Sequence, residues 1–244
     1  MKQPPTPIIA LDVPRAEDAL ALVGRLGPAA GWVKVGLQLY TAEGPGVVRA
    51  LRDRGLRVFL DLKLHDIPNT VARAVESAAG LGVDLLTVHA AGGRAMLRAA
   101  REAAGERGGG GVRLFAVTVL TSLSGAELGE AWGRTGVSAE EEAVRLARLA
   151  DGTGMDGVVA SVHEAARIRT QAGKGVGILT PGIRLAGDAA GDQARVATPA
   201  QAAGAGVDFV VVGRTVTAAD DPAAAFRAVR DELAGGLAAG AVGP

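Results

Sequence analysis

Eight short apolar runs, rich in Val, Ile and Leu, recur along the chain, and a longer Ala/Leu/Arg stretch of helical period follows each one. The runs are PIIALD (7–12), WVKVG (32–36), RVFLDLK (57–63), DLLTVH (84–89), VRLFAVTV (112–119), DGVVAS (156–161), GVGILT (175–180) and DFVVVG (208–213). The helical stretches lie near 15–26, 43–54, 68–81, 93–107, 138–151, 163–172, 198–205 and 221–234. Parallel neighbours need a long return crossover, for which a helix is the usual form, so strict alternation predicts an all-parallel sheet. Eight such units in 244 residues predict an α/β fold, a single (β/α)8 TIM barrel. An open doubly wound sheet is the alternative, and it calls for a G-x-G-x-x-G turn after the first strand. LDVPRAED (11–18) occupies that place instead.

No linker or composition shift divides the chain, and residues 1–244 are expected to form one barrel domain. GERGGGG (105–111) reads as a loop, and the tail from about 235, GGLAAGAVGP, as frayed and disordered. With 48% hydrophobic but only 3% aromatic residues, the core is expected to consist of Val, Leu, Ile and Ala. Balanced charge, 26 basic against 26 acidic residues, excludes a general electrostatic footprint for nucleic acid or membrane. The absence of cysteine excludes disulfides, thiolate metal sites and cysteine nucleophiles, and it fits a reducing compartment. MKQPPTPIIALDV (1–13) lacks the uninterrupted apolar core of a secretory signal. No charge-free apolar stretch nears the roughly 18 residues of a spanning helix. A soluble, cytoplasmic protein is expected.

Within this frame DLKLHDIPN (61–69) stands out, because it sets Asp61, Lys63 and Asp66 at the end of an apolar strand. Side chains two apart on a strand share a face. Val58, Leu60 and Leu62 form an apolar set suited to the helices, which turns Phe59, Asp61 and Lys63 inward. Their charged members then lie at the C-terminal end, where barrel enzymes build active sites. The same logic brings Asp12, at the end of the first strand, and Lys34, between Val33 and Val35, to that rim. Thr121 follows the fifth strand, Arg184 and Gln193 lie in the loop TPGIRLAGDAAGDQ (180–193), and Gly213 and Arg214 follow the eighth.

Each feature has a plain structural reading when taken singly. A D-x-K-x-x-D pattern is often a solvated loop, and an arginine after a strand is commonly a surface residue. His65 and His89 suit hydrogen bonding near strand ends, and His163 suits the start of a helix. An inward ion cluster with no task, however, carries a desolvation penalty of several kcal/mol per ion. Barrels also hold phosphate with the loops after strands seven and eight and a short helix N-terminus. Gly213 and Arg214 suit such a clamp, and the loop 182–194 with Arg184 suits a closing lid.

ALDV (10–13), DLKLHDIPNTV (61–71), VTVLTS (117–122), TPGIR (180–184) and VGRTVTAADDP (212–222) resemble, in order and spacing, the orotidine 5′-phosphate decarboxylases of the bacterial type. The resemblance runs from about residue 8 to residue 226. It implies a homodimeric barrel that converts orotidine 5′-phosphate to uridine 5′-phosphate (UMP) and CO₂, with no metal and no organic cofactor. By position, Lys63 would be the proton donor, and Lys34 and Asp61 would complete a charged row. Asp66 would be supplied across the dimer interface, with Ile67 and Thr70. Asp12 and Lys34 would hold ribose hydroxyls, and Thr121 would meet the pyrimidine. Arg184, Gln193 and Arg214 would hold the phosphate, with Gly213 beside them. Leu185 stands where relatives usually continue TPGIR with proline, which bears on the local shape of the lid.

The implied chemistry suits these residue types. Loss of CO₂ from C6 leaves an electron pair in the ring plane that cannot enter the π system. Without an electron-sink cofactor, an ammonium must stabilise that charge directly and then donate its proton. Lysine serves here because arginine holds its proton too tightly. Two rivals remain: a sugar-phosphate decarboxylase or aldolase that uses Mg²⁺, and a barrel that only binds a nucleotide or sugar phosphate. The Mg²⁺ branch generally carries an acidic residue where this chain has Lys34.

Overall fold

The computed structural model describes residues 3–105, 111–173, 175–188 and 195–240. The eight apolar runs form β1 (Thr6–Ala10), β2 (Trp32–Gly36), β3 (Arg57–Leu64), β4 (Leu85–His89), β5 (Arg113–Val117), β6 (Gly157–Val159), β7 (Gly177–Ile183) and β8 (Phe209–Val212). Each pairs in parallel with the next, and β8 returns to β1, with Thr6 opposite Phe209 and Ile9 opposite Val212. The sheet is therefore the closed barrel that the alternation predicts.

Around it lie α1 (Ala16–Leu26), α2 (Leu37–Glu43), α3 (Pro45–Arg52), α4 (Pro68–Gly80), α5 (Gly93–Ala103), α6 (Gly125–Trp132), α7 (Ala139–Asp151), α8 (Val162–Gln171), α9 (Pro199–Gly204), α10 (Arg214–Thr217) and α11 (Pro222–Gly240). The helix expected over 43–54 is α3, and an unexpected helix, α2, precedes it; the two are separated where Gly44 adopts φ 61° and Pro45 opens a new helix. The unexpected α6 starts at a capping box, in which Ser124 and Glu127 satisfy each other's backbone N–H groups. Residues 241–244 of the tail expected to fray from about 235 lie outside the described residues, and the part to Gly240 continues α11. Its contact with α9 explains this: a Cβ on Gly236 would stand 2.6 Å from the Ala200 backbone, so only glycine permits the approach. Residues 106–110 of the expected glycine loop lie outside the described residues. Among the described residues no helix is long and apolar enough to cross a membrane.

Two apolar layers share the strands. Val33, Val35, Val58 and Leu60 face outward and pack with helix residues such as Val48, Leu51 and Val75. Ile8, Trp32, Phe59, Leu85, Phe115, Leu179 and Phe209 fill the barrel. The outer layer is the Val/Leu/Ile/Ala core expected from composition, but the interior differs. It gathers Trp32, Phe59, Phe115 and Phe209, four of the chain's seven aromatic residues. Gly157 provides the space for one of them, since a Cβ there would meet the Phe115 ring at 2.4 Å.

A repeated clamp holds the N-terminal rim. Asp84, Asp156 and Asp208 each follow a G-x motif and precede β4, β6 and β8. The Asp156 N–H donates to Leu114 O at 3.0 Å, its Oδ2 accepts Leu114 N–H at 2.9 Å, and its carbonyl accepts Gly177 N–H at 3.0 Å. Arg101 on α5 donates to the same Oδ2 at 2.7 Å. Asp84 repeats this between β3, β4 and β5 with Arg52, and Asp208 repeats it between β7, β8 and β1 with Arg169. The opposite rim is less regular. Between Leu60 and Leu64 three residues of β3 stand against one of β4, and between Thr180 and Ile183 two residues of β7 stand against one of β8.

Asp156→Ala strands the Arg101 guanidinium and the Leu114 N–H, both little exposed. Breaking such a pair costs about 3–5 kcal/mol. The melting temperature should fall by roughly 2–4 °C for each kcal/mol, read by calorimetry. A variant that melts with the parent chain would show that the clamp is not stabilising.

Candidate active site

A cavity of about 480 Å³ opens where the strands end, within the roughly 300–1,000 Å³ range of small-ligand clefts. Its floor is the uppermost apolar layer of the barrel, including Ala10, Phe59, Val117, Val159 and Leu179. The first three strands bring Asp12, Lys34, Asp61 and Lys63 to it. The segment after β5 brings Thr121 and Ser122, and β7, β8 and their sequels bring Pro181, Gly182, Arg184, Gly213 and Arg214. Residues separated by two hundred positions thus line one space, as the inward-facing pattern predicts.

The charges brought by the first three strands are already paired. Lys34 Nζ donates to Asp12 Oδ1 at 2.9 Å and stands 3.9 Å from Asp61 Oδ2. Lys63 Nζ donates to that same Oδ2 at 2.9 Å. The order is Asp12, Lys34, Asp61, Lys63, alternating in sign. Side chains of Lys34 and Asp61 are 11% and 13% exposed, against 34% for Lys63, so Lys63 is the cation that presents itself to the cavity. Gly36 leaves room for the row, because a Cβ there would lie 2.9 Å from Lys34 Nζ.

Lys63 reaches its place by an irregular path. It is the one non-glycine residue among those described with positive φ, at 50°. The regular pleat that puts Asp61 and Lys63 on one face therefore ends before Lys63, within the β3 irregularity. Thr87 on β4 bridges the break: its hydroxyl accepts the Lys63 N–H at 2.9 Å and donates to Asp61 Oδ1 at 2.9 Å. Sequence reasoning passed over this residue, although DLLTVH carries the signal. Positions 85, 87 and 89 alternate on one face, which sets a hydroxyl inside the barrel.

Arg184 is the first residue of the loop after β7, as expected, and it is tethered at the strand end, where Ile183 pairs with Ala197 and the Arg184 N–H donates to Ala197 O at 3.0 Å. Its side chain is buried, and its Nε has no hydrogen-bond partner among the described residues. Nη1 lies 3.9 Å from the point where a Cβ on Gly213 would stand, which puts the guanidinium beside the end of β8. Arg214 opens α10 at the same rim. Gln193 lies outside the described residues. Asp66, Ile67 and Thr70 are exposed at the start of α4 and do not line their own chain's cavity; Ile67 is 67% exposed.

The histidines keep structural contacts. His65 and His89 stack at 5.2 Å, and His89 Nδ1 accepts the Ala91 N–H. Burial, then the charges of His65 and Lys63, lower the His89 pKa, which favours the neutral ring that this acceptor role needs. His163 stands in the first turn of α8, where its N–H meets Ser161 Oγ. A further pair was missed in the sequence. Arg195 binds the buried Glu164 and donates to Leu120 O at 3.2 Å, which ties the start of α8 to the segment carrying Thr121. Burial pushes the Glu164 carboxyl up, against the opposing pull of Arg195. Among the described residues no group of three or more His, Cys, Asp or Glu is arranged to hold a metal ion.

Residues 5–229 match the model of the orotidine 5′-phosphate decarboxylase / HUMPS family. The chain is 56% identical over 227 residues to the orotidine 5′-phosphate decarboxylase of Alkalilimnicola ehrlichii, covering 93% of this chain and 95% of that protein. It is 52% identical over 226 residues to that of Sodalis glossinidius, covering 93% and 89%. The crystal structure of orotidine 5′-phosphate decarboxylase from Lactobacillus acidophilus aligns with a TM-score of 0.82 at 36% identity, over 95% of this chain and 99% of that one.

The backbone at Lys63 has a testable signature. In an ordinary strand glycine is less stable than alanine by roughly 0.5–1 kcal/mol. At positive φ the order inverts, because a Cβ there costs about 1–2 kcal/mol. Lys63→Gly should therefore melt above Lys63→Ala, by roughly 2–4 °C for each kcal/mol. The opposite order would mean an extended backbone at this position.

Proposed function

The chain belongs to the orotidine 5′-phosphate decarboxylase / HUMPS family and is a carboxy-lyase, and on that premise we propose that it converts orotidine 5′-phosphate to UMP and CO₂, with Lys63 as proton donor. The observation that carries this reading is the alternating row Asp12, Lys34, Asp61, Lys63, with the Lys63 ammonium turned to the cavity. The C6–carboxylate bond breaks with its electron pair left on C6, and CO₂ departs. The developing charge meets an ammonium already oriented by Asp61, so little reorganisation accompanies the step. Lys63 then gives its proton to C6, and solvent restores the ammonium.

The remaining assignments follow the family resemblance, and the lining of the cavity accords with several of them. Arg184 and Arg214, with Gly213 between strand and helix, take the phosphate; the buried Arg184 Nε, which has no partner among the described residues, supports an anion there. Gln193 joins them from the segment after β7. Thr121 takes the pyrimidine, and Asp12 and Lys34 take the ribose hydroxyls. Asp66, with Ile67 and Thr70, completes a neighbouring subunit's row in a cytoplasmic homodimer, which accords with their exposure away from their own cavity. The Lys34 ammonium sits between Asp12 and Asp61, where a divalent cation would otherwise be held, and this favours metal-free decarboxylation over the Mg²⁺ reading.

Incubation with orotidine 5′-phosphate should bleach the orotate absorbance, with EDTA without effect; restoration by Mg²⁺ after loss in EDTA would select the rival chemistry. Lys63→Ala should lower kcat by at least the roughly 10²–10⁴-fold typical of a lost general acid, with the fold intact by circular dichroism. Arg214→Ala should cost roughly 10–100-fold in kcat/KM, the value of a charged hydrogen bond. Undiminished efficiency would remove Arg214 from the phosphate site. Mixing Lys63→Ala with Asp66→Ala subunits should restore turnover through one competent site per mixed dimer, and no recovery would put Asp66 outside the shared site.

A further inference from the structure

We propose that Thr87 is a positioning residue for catalysis, its hydroxyl holding the Lys63 ammonium and the Asp61 carboxylate in register with each other. The inference rests on the assignment of Lys63 as proton donor, and it concerns a residue that does not touch the cavity. Thr87 is fully buried on β4. Between Leu60 and Leu64 the β3–β4 ladder breaks, with three residues of β3 set against one of β4, Thr87. The Lys63 N–H therefore lacks a ladder carbonyl, and a buried N–H without an acceptor is costly. The Thr87 hydroxyl replaces that carbonyl at 2.9 Å.

The same oxygen then donates its own proton to Asp61 Oδ1, also at 2.9 Å. Asp61 Oδ2 is left to face Lys63 Nζ at 2.9 Å and Lys34 Nζ at 3.9 Å. One hydroxyl thus acts on both ends of the lysine: it holds the backbone at φ 50° and orients the carboxylate that fixes the side chain. A methyl in place of the hydroxyl would leave both bonds unmade. Lys63 could then relax towards an extended backbone, which would swing its ammonium off the Asp61 oxygen. Misplacement of a catalytic group by about 1 Å can cost on the order of 10²-fold in rate.

Thr87→Val keeps the shape and removes the hydroxyl, while Thr87→Ser keeps the hydroxyl. Thr87→Val should lower kcat by on the order of 10²-fold with KM and the Kd for UMP little changed, and Thr87→Ser should restore most of the rate. A crystal structure of Thr87→Val should show the Lys63–Asp61 ion pair opened. If Thr87→Val does not accumulate folded, Thr87→Cys, a much weaker donor and acceptor, is read by the same criteria. Wild-type kcat in the valine variant, or an equal loss in the serine variant, overturns the proposal, as does a closed ion pair in the valine crystal. Failure of the parent enzyme to consume orotidine 5′-phosphate would instead sink the functional assignment, while the crystallographic criterion would still test the strut.

Discussion

Closure of the strand ladder is the constraint on which the rest depends. A one-residue slip in any pairing would turn every side chain of that strand to the other face, emptying the cavity of its charges and burying them against helices. Asp208 guards the closing seam, since one residue bonds β7, β8 and β1 together. Asp84 and Asp156 do the same for β3 to β7. Register is thereby set at the N-terminal rim, well away from the cavity. The C-terminal rim is released from that duty, and both ladder irregularities occur there.

Those two irregularities resolve the same geometric problem in different ways. In β7 the extra residue comes with Gly182 at φ 78°, a conformation free to glycine. In β3 the comparable position carries Lys63 at φ 50°. A lysine is retained where glycine would fit better, so the side chain outweighs the backbone preference. Strain of this kind persists only where the surroundings hold it, and the Thr87 hydroxyl and the Asp61 carboxylate are the groups that do so.

The strand order, the closed barrel and the convergence of Asp12, Lys34, Asp61, Lys63, Thr121, Arg184 and Arg214 were legible because alternation with period two is a local signal. The route of the chain through Lys63 was not, since a bulge breaks that period without altering composition. Thr87 was legible in principle, as an inward polar residue in an apolar strand, but its partners lie on a different strand and only the β3–β4 register reveals them. The Arg195–Glu164 pair joins segments 31 positions apart and has no sequence period at all. The interior aromatics escaped for a related reason: their overall share is small, and only the fold gathers Trp32, Phe59, Phe115 and Phe209 into one lumen.

The distribution of exposure along the charged row bears on how, under the proposed function, it would stabilise an anion that water stabilises poorly. Lys34 and Asp61 are nearly buried, and each has opposite charge as a neighbour, so their desolvation is offset when the chain folds rather than when a ligand arrives. Lys63 is paired on one side only and keeps a third of its side chain exposed. Its free side is the direction from which a ligand must come, and closing the cavity over that ligand would remove the remaining water. The ammonium would then have a single direction in which to spread its field, towards the ligand, in a medium where Coulomb interactions are several times stronger than in bulk solvent. A lysine without Asp61 behind it would be free to turn back to water, and a row without an exposed terminus would have no unspent charge to offer. A row nearly buried at Lys34 and Asp61 and open at the Lys63 ammonium is what makes a set of ordinary ion pairs suited to chemistry.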